Sequence, residues 1–465
     1  MTDTRRGPAA DARRDVPHGA RIVQALLDQE TRPVPPALRA VGSALEDAAG
    51  GRPSGVARAR YTSRAVHDLE VDRVWRRVWQ MACREEQVPE VGDCVVYAAP
   101  GVSLVVVRSA PGELRAFHNS CLHRGTQLRT QPGHIGELRC PFHGFTWDLD
   151  GSFAGMPCPW DFPHVDAASF GLPEARVGTW GGFVFVTVDP EAEPLEDYLE
   201  ILPEHFAPWD LGDRYLAAHV VGAVPCNWKV ALEAFIESYH TVAVHPQLLT
   251  TSGDAQTQYD VYDGVRHVNR MITPVGIASE HVGHPVAEQD IVDAMFLTKD
   301  DPDAVVPDGS TARQVLADRT RRRLAERTGG DYSTVTDCEA LDAIEYFVFP
   351  NFVPWAGYTT PLAYRFRPDG DDHRRAVMDV MLLEPVPVGG PRPAPSPTRH
   401  LADGERWADA PELGYLGRIL DQDTATLARV QRGLEASDGP AVTLASYQES
   451  RIRHFHDTLG SYLGE

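Results

Sequence analysis

The chain has 465 residues, which is long enough for two or three domains, and 43% of them are hydrophobic, as is ordinary for a globular protein. Its formal net charge of −22 argues against nucleic acid or an anionic membrane as a partner, because both bind basic surfaces. The sequence has no apolar run that could cross a bilayer, and its N-terminus lacks the apolar core of a secretory signal. We therefore expect a cytoplasmic protein.

The first part of the chain divides into an extension and a β-rich region. Residues 1–60 are rich in Arg, Ala, Pro and Gly, and within them the run RIVQALLDQ predicts a helix. From about residue 90, short β-branched runs separated by Pro and Gly predict strands; they are CVVYAA, SLVVVRS and FVFVTV. This texture ends near Asp189-Pro190, so we predict an N-terminal extension at 1–60 and a small β domain at 61–190.

The remainder, residues 191–465, mixes helices with strands. NWKVALEAFIESYH at 227–240 has apolar residues at helical spacing, and a long helix is predicted from about Leu413 to Leu434, followed by a short helical tail. Strand-like runs lie between these helices: YFVFPNF, TPLAYRFRP and AVMDVMLLEPV. A proline-rich loop follows them at 385–397. The predicted class is α+β, with the β domain inserted early in a larger mixed domain.

Two pairs of cysteine and histidine lie in the β-rich region. The chain has seven cysteines, and an odd number in a cytosolic-looking chain favours metal ligation over a disulfide framework. The pairs are Cys121-x-His123 in CLHRG and Cys140-x-x-His143 in CPFHG. Two thiolates and two imidazoles suit either a tetrahedral zinc or a [2Fe–2S] cluster with two histidine ligands. In a common zinc finger both cysteines precede both histidines, whereas here each turn contributes one of each.

CLHRG and CPFHG resemble the signature of the Rieske family. The resemblance implies a [2Fe–2S] cluster in which Cys121 and Cys140 hold the inner iron, and His123 and His143 hold the outer, more exposed iron. The family commonly has Trp directly after the second His-Gly and an aromatic residue two places later. Here Phe145 and Trp147 stand in those places, so we expect at most a change in solvent access and reduction potential.

A second group of metal-ligand types occurs farther along the chain. His240 and His245 are five residues apart in ESYHTVAVH, and two histidines with one carboxylate form the facial triad of non-haem Fe(II) oxygenases. On the predicted long helix Asp423 falls on the apolar stripe, whereas Asp421 does not; the stripe consists of Leu416, Leu420, Leu427, Val430 and Leu434. A carboxylate that faces a core is costly unless it is paired or bound to a metal.

The stretches NWKVALEAFIESYHTVAVH and DQDTATLARVQRGL resemble the two iron segments of Rieske non-haem iron oxygenase α subunits. The resemblance runs from about residue 60 to the end and is weakest over 250–340. It implies a helix-grip catalytic domain with an antiparallel sheet, and a mononuclear Fe(II) held by His240, His245 and Asp423.

Two further residues are expected at that iron site from the resemblance. Asn227 matches a family residue that lies near the iron. Glu237 matches an acid that bridges the iron site of one subunit to the Rieske histidine of its neighbour. On the predicted helix Glu237 shares a face with His240 and with Glu233, one turn earlier.

The family resemblance implies a terminal oxygenase that uses dioxygen and electrons from NADH or NADPH, delivered by a reductase directly or through a ferredoxin. The expected reaction is mono- or dihydroxylation of a small aromatic or apolar molecule, and Glu237 favours monooxygenase or demethylase chemistry. A quaternary amine would need an aromatic cage, to which Trp355 and Tyr358 could contribute.

The same resemblance implies an assembly and a docking partner. A homo-oligomer is expected, commonly a trimer, with or without a β subunit. Basic residues near the cluster loops are expected to receive the electron donor; they are Arg124, Arg129 and Arg139.

Two hypotheses from other classes stay open at this point. In the first, the chain is a Rieske electron-transfer protein whose second domain only binds a ligand, and it would carry two irons per chain where an oxygenase carries three. In the second, it is a zinc-stabilised binding module without a redox role, and it would be colourless.

Overall fold

The computed structural model describes residues 18–42, 55–295 and 304–465. It combines helices with two large, mainly antiparallel sheets, which confirms the predicted α+β class. The α-helices of the described residues are His18–Asp28, Pro36–Arg39, Ala59–Thr62, Arg64–Glu70, Leu195–Tyr198, Leu202–Phe206, Trp228–Glu233, Thr241–Val244, Glu288–Ala294, Ala312–Thr328, Asp337–Leu341, Leu416–Ala436 and Ser450–Leu463. Of these helices, none is long and apolar enough to cross a membrane.

The β-rich region forms a seven-stranded sheet, which we call the N-terminal sheet. Its strands, in spatial order, are Gln80–Arg84, Phe183–Thr187, Glu174–Trp180, Glu113–His118, Val102–Ala110, Asp93–Ala99 and Gly133–His134. A small three-stranded sheet lies beside it, made of Leu138–Arg139, Thr146–Trp147 and Phe153–Gly155. The predicted strand runs CVVYAA, SLVVVRS and FVFVTV all lie in the N-terminal sheet, where their β-branched residues fill a buried core.

The second half of the chain forms an eight-stranded sheet, which we call the catalytic sheet. Its strands, in spatial order, are Gln258–Val261, Val268–Thr273, Ala343–Val348, Phe352–Ala356, Leu362–Asp369, Asp372–Pro385, Arg214–Val224 and Thr398–His400. All neighbours pair antiparallel except the last two, which are parallel. A two-stranded ribbon joins Gly55–Ala57 to Ala441–Thr443. The run YFVFPNF, predicted as one strand, is divided by a turn at Phe349-Pro350 into the ends of two strands.

A buried ion cluster joins the two sheets. Asp379 on the catalytic sheet is fully buried and accepts hydrogen bonds from Arg365 at 2.7 Å and from Arg367 at 3.1 Å. The same two arginines reach into the N-terminal sheet, where Arg365 donates to the Met81 carbonyl at 3.0 Å and Arg367 donates to the Ala98 carbonyl at 2.9 Å. Because the two arginines bind Asp379 on their own sheet and carbonyls on the N-terminal sheet at the same time, they hold the two sheets in one orientation.

The predicted N-terminal helix is present as His18–Asp28. Residues that follow it are tied to the catalytic sheet, because Arg270 donates to the carbonyls of Ala37 and Ala40. The other parts of the predicted extension, 1–17 and 43–54, lie outside the described residues. The boundaries 1–60, 61–190 and 191–465 stay predictions.

The helix predicted over 227–240 is wrong in its second half, because it ends at Glu233. The backbone N–H of Ser238 donates to the Tyr259 hydroxyl at 3.0 Å, and the Ser238 hydroxyl donates to the Asp254 carbonyl at 3.1 Å. These bonds, to Tyr259 on the catalytic sheet and to Asp254 in the loop before it, replace the helical hydrogen bonds. A new helical turn begins only at Thr241.

A buried ion pair fixes the start of that helix to the segment before the N-terminal sheet. Lys229 Nζ donates to Glu70 at 2.6 Å, and Trp228 Nε1 donates to the other oxygen of Glu70 at 3.0 Å. Glu70 is fully buried, and burial lowers the pKa of Lys229 even with that carboxylate beside it. The Glu70 carboxylate therefore stabilises the charged form of Lys229 in the core.

We expect Glu70→Ala to lower the free energy of unfolding by about 3–5 kcal/mol, because it leaves a buried ammonium and a buried indole N–H without an acceptor. Denaturant unfolding followed by tryptophan fluorescence measures the change. Arg406→Ala, which breaks an exposed ion pair with Asp409, is the control and should leave the unfolding midpoint in place. Equal midpoints for Glu70→Ala and the unmodified chain would contradict the prediction.

Candidate metal centres

Two loops of similar geometry carry the four cysteine and histidine residues. In the first, the N–H of Gly125 donates to the Cys121 carbonyl at 2.9 Å, and in the second the N–H of Gly144 donates to the Cys140 carbonyl at 3.0 Å. Gly125 and Gly144 have φ values of +75° and +73°, which an L side chain rarely adopts. Each loop therefore turns back tightly enough to present its cysteine and its histidine on the same side.

The cysteines are buried and the histidines lie nearer to the surface, as the resemblance implied. Cys121 and Cys140 are each 2% exposed and their thiols are in hydrogen-bonding contact, whereas His143 is exposed. Burial raises the pKa of the Cys140 thiol, but backbone N–H groups of the following residues outweigh it, and the pKa lies below its ordinary value. These N–H groups also suit sulfur atoms that carry negative charge.

The histidines are placed to share a second metal ion. The rings of His123 and His143 lie 4.8 Å apart, centroid to centroid, and Phe145 stacks on His123 at 4.7 Å. His123 Nδ1 is buried and has no hydrogen-bond partner among the described residues. A buried, unpaired ring nitrogen is costly unless it binds a metal, so this atom fits the expected ligand role. Phe145 occupies the place beside the ligands where the family commonly has Trp.

The spacing of the four ligands fits two metal ions better than one. Ligand atoms around a single tetrahedral zinc lie within roughly 4 Å of one another. Over the described ranges, the side chains of His, Cys, Asp and Glu bring three ligand atoms within 4.8 Å of one another at one place, the triad His240, His245 and Asp423. The cluster loops instead pair thiol with thiol and imidazole with imidazole. This arrangement fits a [2Fe–2S] cluster and disfavours the zinc hypothesis.

The predicted triad comes together in the structure. His245 Nε2 lies 2.7 Å from Asp423 Oδ1, and His240 Nε2 lies 3.6 Å from the same oxygen. Asp423 is buried on the inner face of the helix Leu416–Ala436, while Asp421 accepts the backbone N–H of Trp407. The sequence therefore distinguished the two aspartates correctly. The prediction is wrong for one member of the apolar stripe, Val430, which is 43% exposed.

The outer nitrogens of both histidines are held by side chains. His240 Nδ1 lies 2.7 Å from Glu237, and His245 Nδ1 lies 2.9 Å from the amide oxygen of Gln422. Because these acceptors take the Nδ1 protons, each Nε2 keeps its lone pair for a metal. The donor set of two imidazoles and one carboxylate fits a non-haem Fe(II). Gln422 was not predicted; its place directly before Asp423 was the only sequence feature that pointed to it.

Electrostatics favour a cation at the triad. Burial lowers the pKa of His240, but the carboxylates of Glu237 and then Asp423 outweigh it and raise that pKa to about 9. Glu345, buried on the catalytic sheet, has its pKa raised by burial to about 7, against the opposing charge of Arg451. The acids around the histidines therefore supply excess negative charge that a metal ion would neutralise.

A cavity of about 260 Å³ opens beside the triad. Its polar wall includes Glu233, Glu237, His240 and Asp423, and the rest is mostly aliphatic. Burial raises the pKa of Glu233 to about 8, and its carboxylate accepts hydrogen bonds from Tyr61 at 3.1 Å and from His456 at 2.8 Å. Glu233 and Glu237 thus meet at this cavity, although they do not share a helix.

Asn227 is not brought to the triad. Its side-chain oxygen caps the helix Trp228–Glu233 by accepting the N–H of Lys229 at 3.0 Å, and its amide nitrogen donates to the His373 carbonyl at 2.7 Å. It is buried, and both ends of its amide are occupied. In the structure its amide acts as a helix cap, and the catalytic role of Asn227 stays a prediction.

The cage residues proposed from the sequence are separated. Trp355 lies 6.2 Å from Tyr364, whose ring is 5.1 Å from Phe235. Tyr358 instead contacts Tyr332 at 5.4 Å, and the guanidinium of Arg214 covers its ring at 5.5 Å. Phe235, Tyr364 and Trp355 therefore form one aromatic wall. Burial raises the pKa of its member Tyr364, and Asp423 is close enough for its charge to raise that pKa further.

The three arginines expected to receive an electron donor differ in their surroundings. Arg124 lies over the ring of Phe142 at 5.3 Å, and Arg139 is 3.6 Å from Glu137. Arg129 is turned inward, with a buried Nε and a hydrogen bond to the Cys94 sulfur. Arg129 is therefore unsuited to that role.

Known protein families match both halves of the chain. The family model described as Ring hydroxylating alpha subunit (catalytic domain) matches residues 204–465, and the Rieske [2Fe-2S] domain matches residues 78–166. Cys121, His123, Cys140 and His143 lie in the second match.

Individual relatives agree with these models. The glycine betaine monooxygenase oxygenase subunit of Chromohalobacter salexigens is 32% identical over 209 residues, which are 44% of this chain and 45% of that protein. The anthranilate 1,2-dioxygenase large subunit of Acinetobacter baylyi is 30% identical over 206 residues, 42% of this chain and 43% of that protein. The chain thus spans about half the length of the curated relatives it matches.

A solved quaternary ammonium Rieske monooxygenase, described as acting in carnitine oxidation with inter-subunit electron transfer, has the same fold. Its TM-score to this chain is 0.63 at 19% sequence identity, over 88% of this chain and 95% of that one. The catalytic-domain model alone matches more than half of the 465 residues. The chain therefore belongs to the family of ring-hydroxylating oxygenase α subunits, and it carries the Rieske [2Fe–2S] domain at its N-terminal side.

Proposed function

We propose that the protein is the terminal oxygenase of a multicomponent system, which oxidises a small organic molecule with dioxygen and with electrons that a reductase takes from NADH or NADPH. The observation that carries the proposal is the presence of two distinct ligand sets in one chain. One is the Cys121, Cys140, His123 and His143 loop pair, and the other is the triad. An electron-transfer protein with a ligand-binding domain would have no use for the second.

When bound, the [2Fe–2S] cluster relays single electrons and the Fe(II) activates dioxygen. The chain's own residues prepare both sites. Glu237 and Gln422 fix the orientation of the two imidazoles by holding their Nδ1 protons. Phe235 and Tyr364 are buried and pack against each other, and Phe235 directly follows Ala234, which lines the cavity beside the triad.

Two exposed surfaces favour transfer between neighbouring copies of the chain. The first, which we call the cluster tip, contains His143 and three large exposed side chains, Leu122 at 37%, Phe142 at 55% and Trp160 at 77%. The second is the surface around the triad cavity, where the cavity residue Val430 and Tyr239, which directly precedes His240, are exposed. Exposed apolar side chains beside a redox centre are typical of an interface.

A head-to-tail assembly would bring these two surfaces together. It would place His143 of one copy against Glu237 of the next, so that Glu237 contacts a histidine of each site. Closure of such contacts gives a ring, and we propose a homotrimer. A β subunit is compatible with this arrangement.

For the substrate we propose a quaternary amine. Phe235, Tyr364 and Trp355 offer aromatic faces, and Glu345 is the cross-strand partner of Trp355. Burial and the charges of Glu345 and Asp423 raise the pKa of Tyr364, which indicates that negative charge lies close to this wall. Aromatic faces combined with negative charge attract organic cations. The glycine betaine relative supports the same class.

The test uses the purified chain, reconstituted with iron and sulfide and supplied with a surrogate reductase and NADH. We expect three irons per chain and dioxygen uptake that depends on substrate, with glycine betaine or carnitine more effective than anthranilate. Two irons per chain, and no uptake with any substrate class, would support the electron-transfer alternative. Preferential uptake with anthranilate would favour an aromatic substrate.

The bridge assigned to Glu237 predicts a specific defect. We expect Glu237→Gln to keep both metal centres but to slow oxidation of the reduced cluster by about 10- to 100-fold, because the amide cannot hold His240 as a carboxylate does. Stopped-flow absorbance of the pre-reduced protein, mixed with substrate and dioxygen, measures that rate. Glu326→Gln, an exposed site on the helix Ala312–Thr328, is the matched control. An unchanged rate in Glu237→Gln would rule out the bridge.

A further inference from the structure

We propose that a basic groove behind the cluster is the docking surface for an acidic electron-carrier protein. The groove lies between the helical segment 71–77 and the end of the strand Glu113–His118, and we call it the arginine groove. The inference rests on the proposed oxygenase function and adds to it the place where electrons enter.

The arginine groove has a volume of about 640 Å³. Its lining comes from the segment before the N-terminal sheet and from the loops and strand ends of that sheet: Asp72, Arg73, Arg76, Arg77, Gly101, His118, Val188, Asp189 and Pro190. A protein that docks there would therefore contact the N-terminal sheet and the segment that leads into it at once.

The local sequence explains why three arginines face this groove. In the run VDRVWRRV, Val74, Trp75 and Val78 are buried, whereas Arg73, Arg76 and Arg77 are exposed. Residues three and four apart lie on one face of a helical turn. The apolar residues anchor the segment in the core, and the arginines are left on the outer face.

The three arginines are engaged to different degrees. Arg73 donates to the Leu463 carbonyl at the end of the C-terminal helix. Arg77 lies 3.3 Å from Asp189, whose side chain is largely covered, at 13% exposure, while that of Arg77 is 57% exposed. Within the described part of the chain, Arg76 has no ion-pair partner. A guanidinium without a carboxylate is available to a partner's acid.

The groove reverses the charge balance of the molecule. The whole chain has 66 acidic and 44 basic residues, and its net charge of −22 repels an acidic partner. The groove has three arginines against two aspartates, one of which Arg77 already neutralises, while burial and Arg76 lower the pKa of His118 and favour its neutral form. A local positive surface on a negative protein orients an acidic partner toward one place.

A short stretch of chain joins the arginine groove to the first cluster loop. His118 ends its strand three residues before Cys121, so their Cα atoms lie within about 11 Å, since an extended chain spans at most roughly 3.6 Å per residue. Gly101, in the hairpin beside this strand, has a φ of +69°, and a Cβ there would lie 2.7 Å from Val71. The hairpin therefore presses the arginine segment against the sheet that carries the cluster loops.

The cluster tip is a poorer candidate for the same partner. Its arginines are stacked on Phe142 or paired with Glu137, and its exposed surface is mainly apolar. That surface suits a second copy of the chain. With the carrier at the arginine groove, an electron would enter from the cysteine side of the cluster and leave from the histidine side. The carrier would then not displace the neighbouring copy of the chain at the cluster tip.

The transfer is a one-electron step. A reduced plant-type [2Fe–2S] ferredoxin loses one electron and the oxidised Rieske cluster gains it, with no bond made or broken. Such ferredoxins have reduction potentials below those of Rieske clusters, so the transfer is downhill.

The experiment uses the reconstituted full chain and a photoreduced acidic plant-type ferredoxin as the probe. We expect Arg76→Glu to slow cluster reduction by about tenfold at low salt, with the difference shrinking as salt is added. Binding of the oxidised ferredoxin, measured by calorimetry, should weaken in parallel. Arg406→Glu is the matched charge reversal on a distant surface and should change neither rate nor binding.

Arg139→Glu, at the cluster tip, is the competing variant. If Arg139→Glu slows reduction and Arg76→Glu does not, the proposal is overturned in favour of tip docking. Stoichiometric binding of inorganic phosphate that is lost in Arg76→Glu, without ferredoxin binding, would overturn it in favour of a small-anion site. Reduction by dithionite and the visible spectrum report separately whether the cluster is present, so failure of the oxygenase proposal itself would be recognised.

Discussion

Replacement of Asp423 by alanine is expected to remove the mononuclear iron and to lower the oxygenase rate by about three orders of magnitude or more. The carboxylate is the only acidic member of the triad, and its Oδ1 lies within 3.6 Å of both histidine Nε2 atoms. Loss of an anionic ligand removes both a bond to the metal and the charge that balances it. Metal analysis should fall from three irons per chain to two, with the visible spectrum of the cluster unchanged.

The neighbouring Asp421 supplies the matched control on the same helix. It accepts the N–H of Trp407 at 2.8 Å and lies outside the triad. Asp421→Asn should therefore keep three irons, at a small cost in stability. Retention of the third iron in Asp423→Ala would remove the basis for the oxygenase proposal.

The second large effect is expected at the cluster. Cys140→Ala should abolish the visible absorption of the protein and all reduction of the triad iron by a reductase, because a [2Fe–2S] centre loses one of its two thiolate ligands. The triad and its iron should persist, since these residues lie on other elements. Absorbance and iron content measure the outcome, which we expect to be one iron per chain.

Cys158→Ala is the control for that substitution. Cys158 is exposed and lies near the same loops, yet it belongs to neither of them. Its spectrum should match that of the unmodified chain. A coloured Cys140→Ala protein with full electron transfer would exclude the assigned ligand set.

The candidate ligands could be proposed from the sequence because they follow local rules. Cys121 and His123 share one loop, as do Cys140 and His143, and loop spacing is visible in the chain itself. Asp423 was found by helical periodicity, since a carboxylate on a buried stripe is an anomaly that a cation can explain. The α+β class was also predicted from local patterns, because runs of β-branched residues indicate strands.

Features that depend on tertiary contacts could not be predicted from the sequence. The helix after Asn227 was extended too far because Ser238 finds its hydrogen-bond partners on a strand that lies elsewhere in the chain. Asn227 was assigned to the iron by motif position, but its amide caps a helix. Tyr358 was grouped with Trp355 by closeness in sequence, and the structure covers its ring with Arg214. In each case the outcome depends on which distant residue the side chain contacts, and the sequence does not show that residue.

The buried Asp379 junction has a consequence for how subunits close into a ring. A head-to-tail contact generates a closed ring only if each copy turns the chain path by the right angle, and otherwise it generates an open filament. In the proposed homotrimer that angle depends on how the cluster loops and the triad are oriented within one subunit, and Arg365 and Arg367 help to fix this orientation by binding to both sheets. Charges that contact neither ligand set would therefore influence how many subunits close the proposed ring.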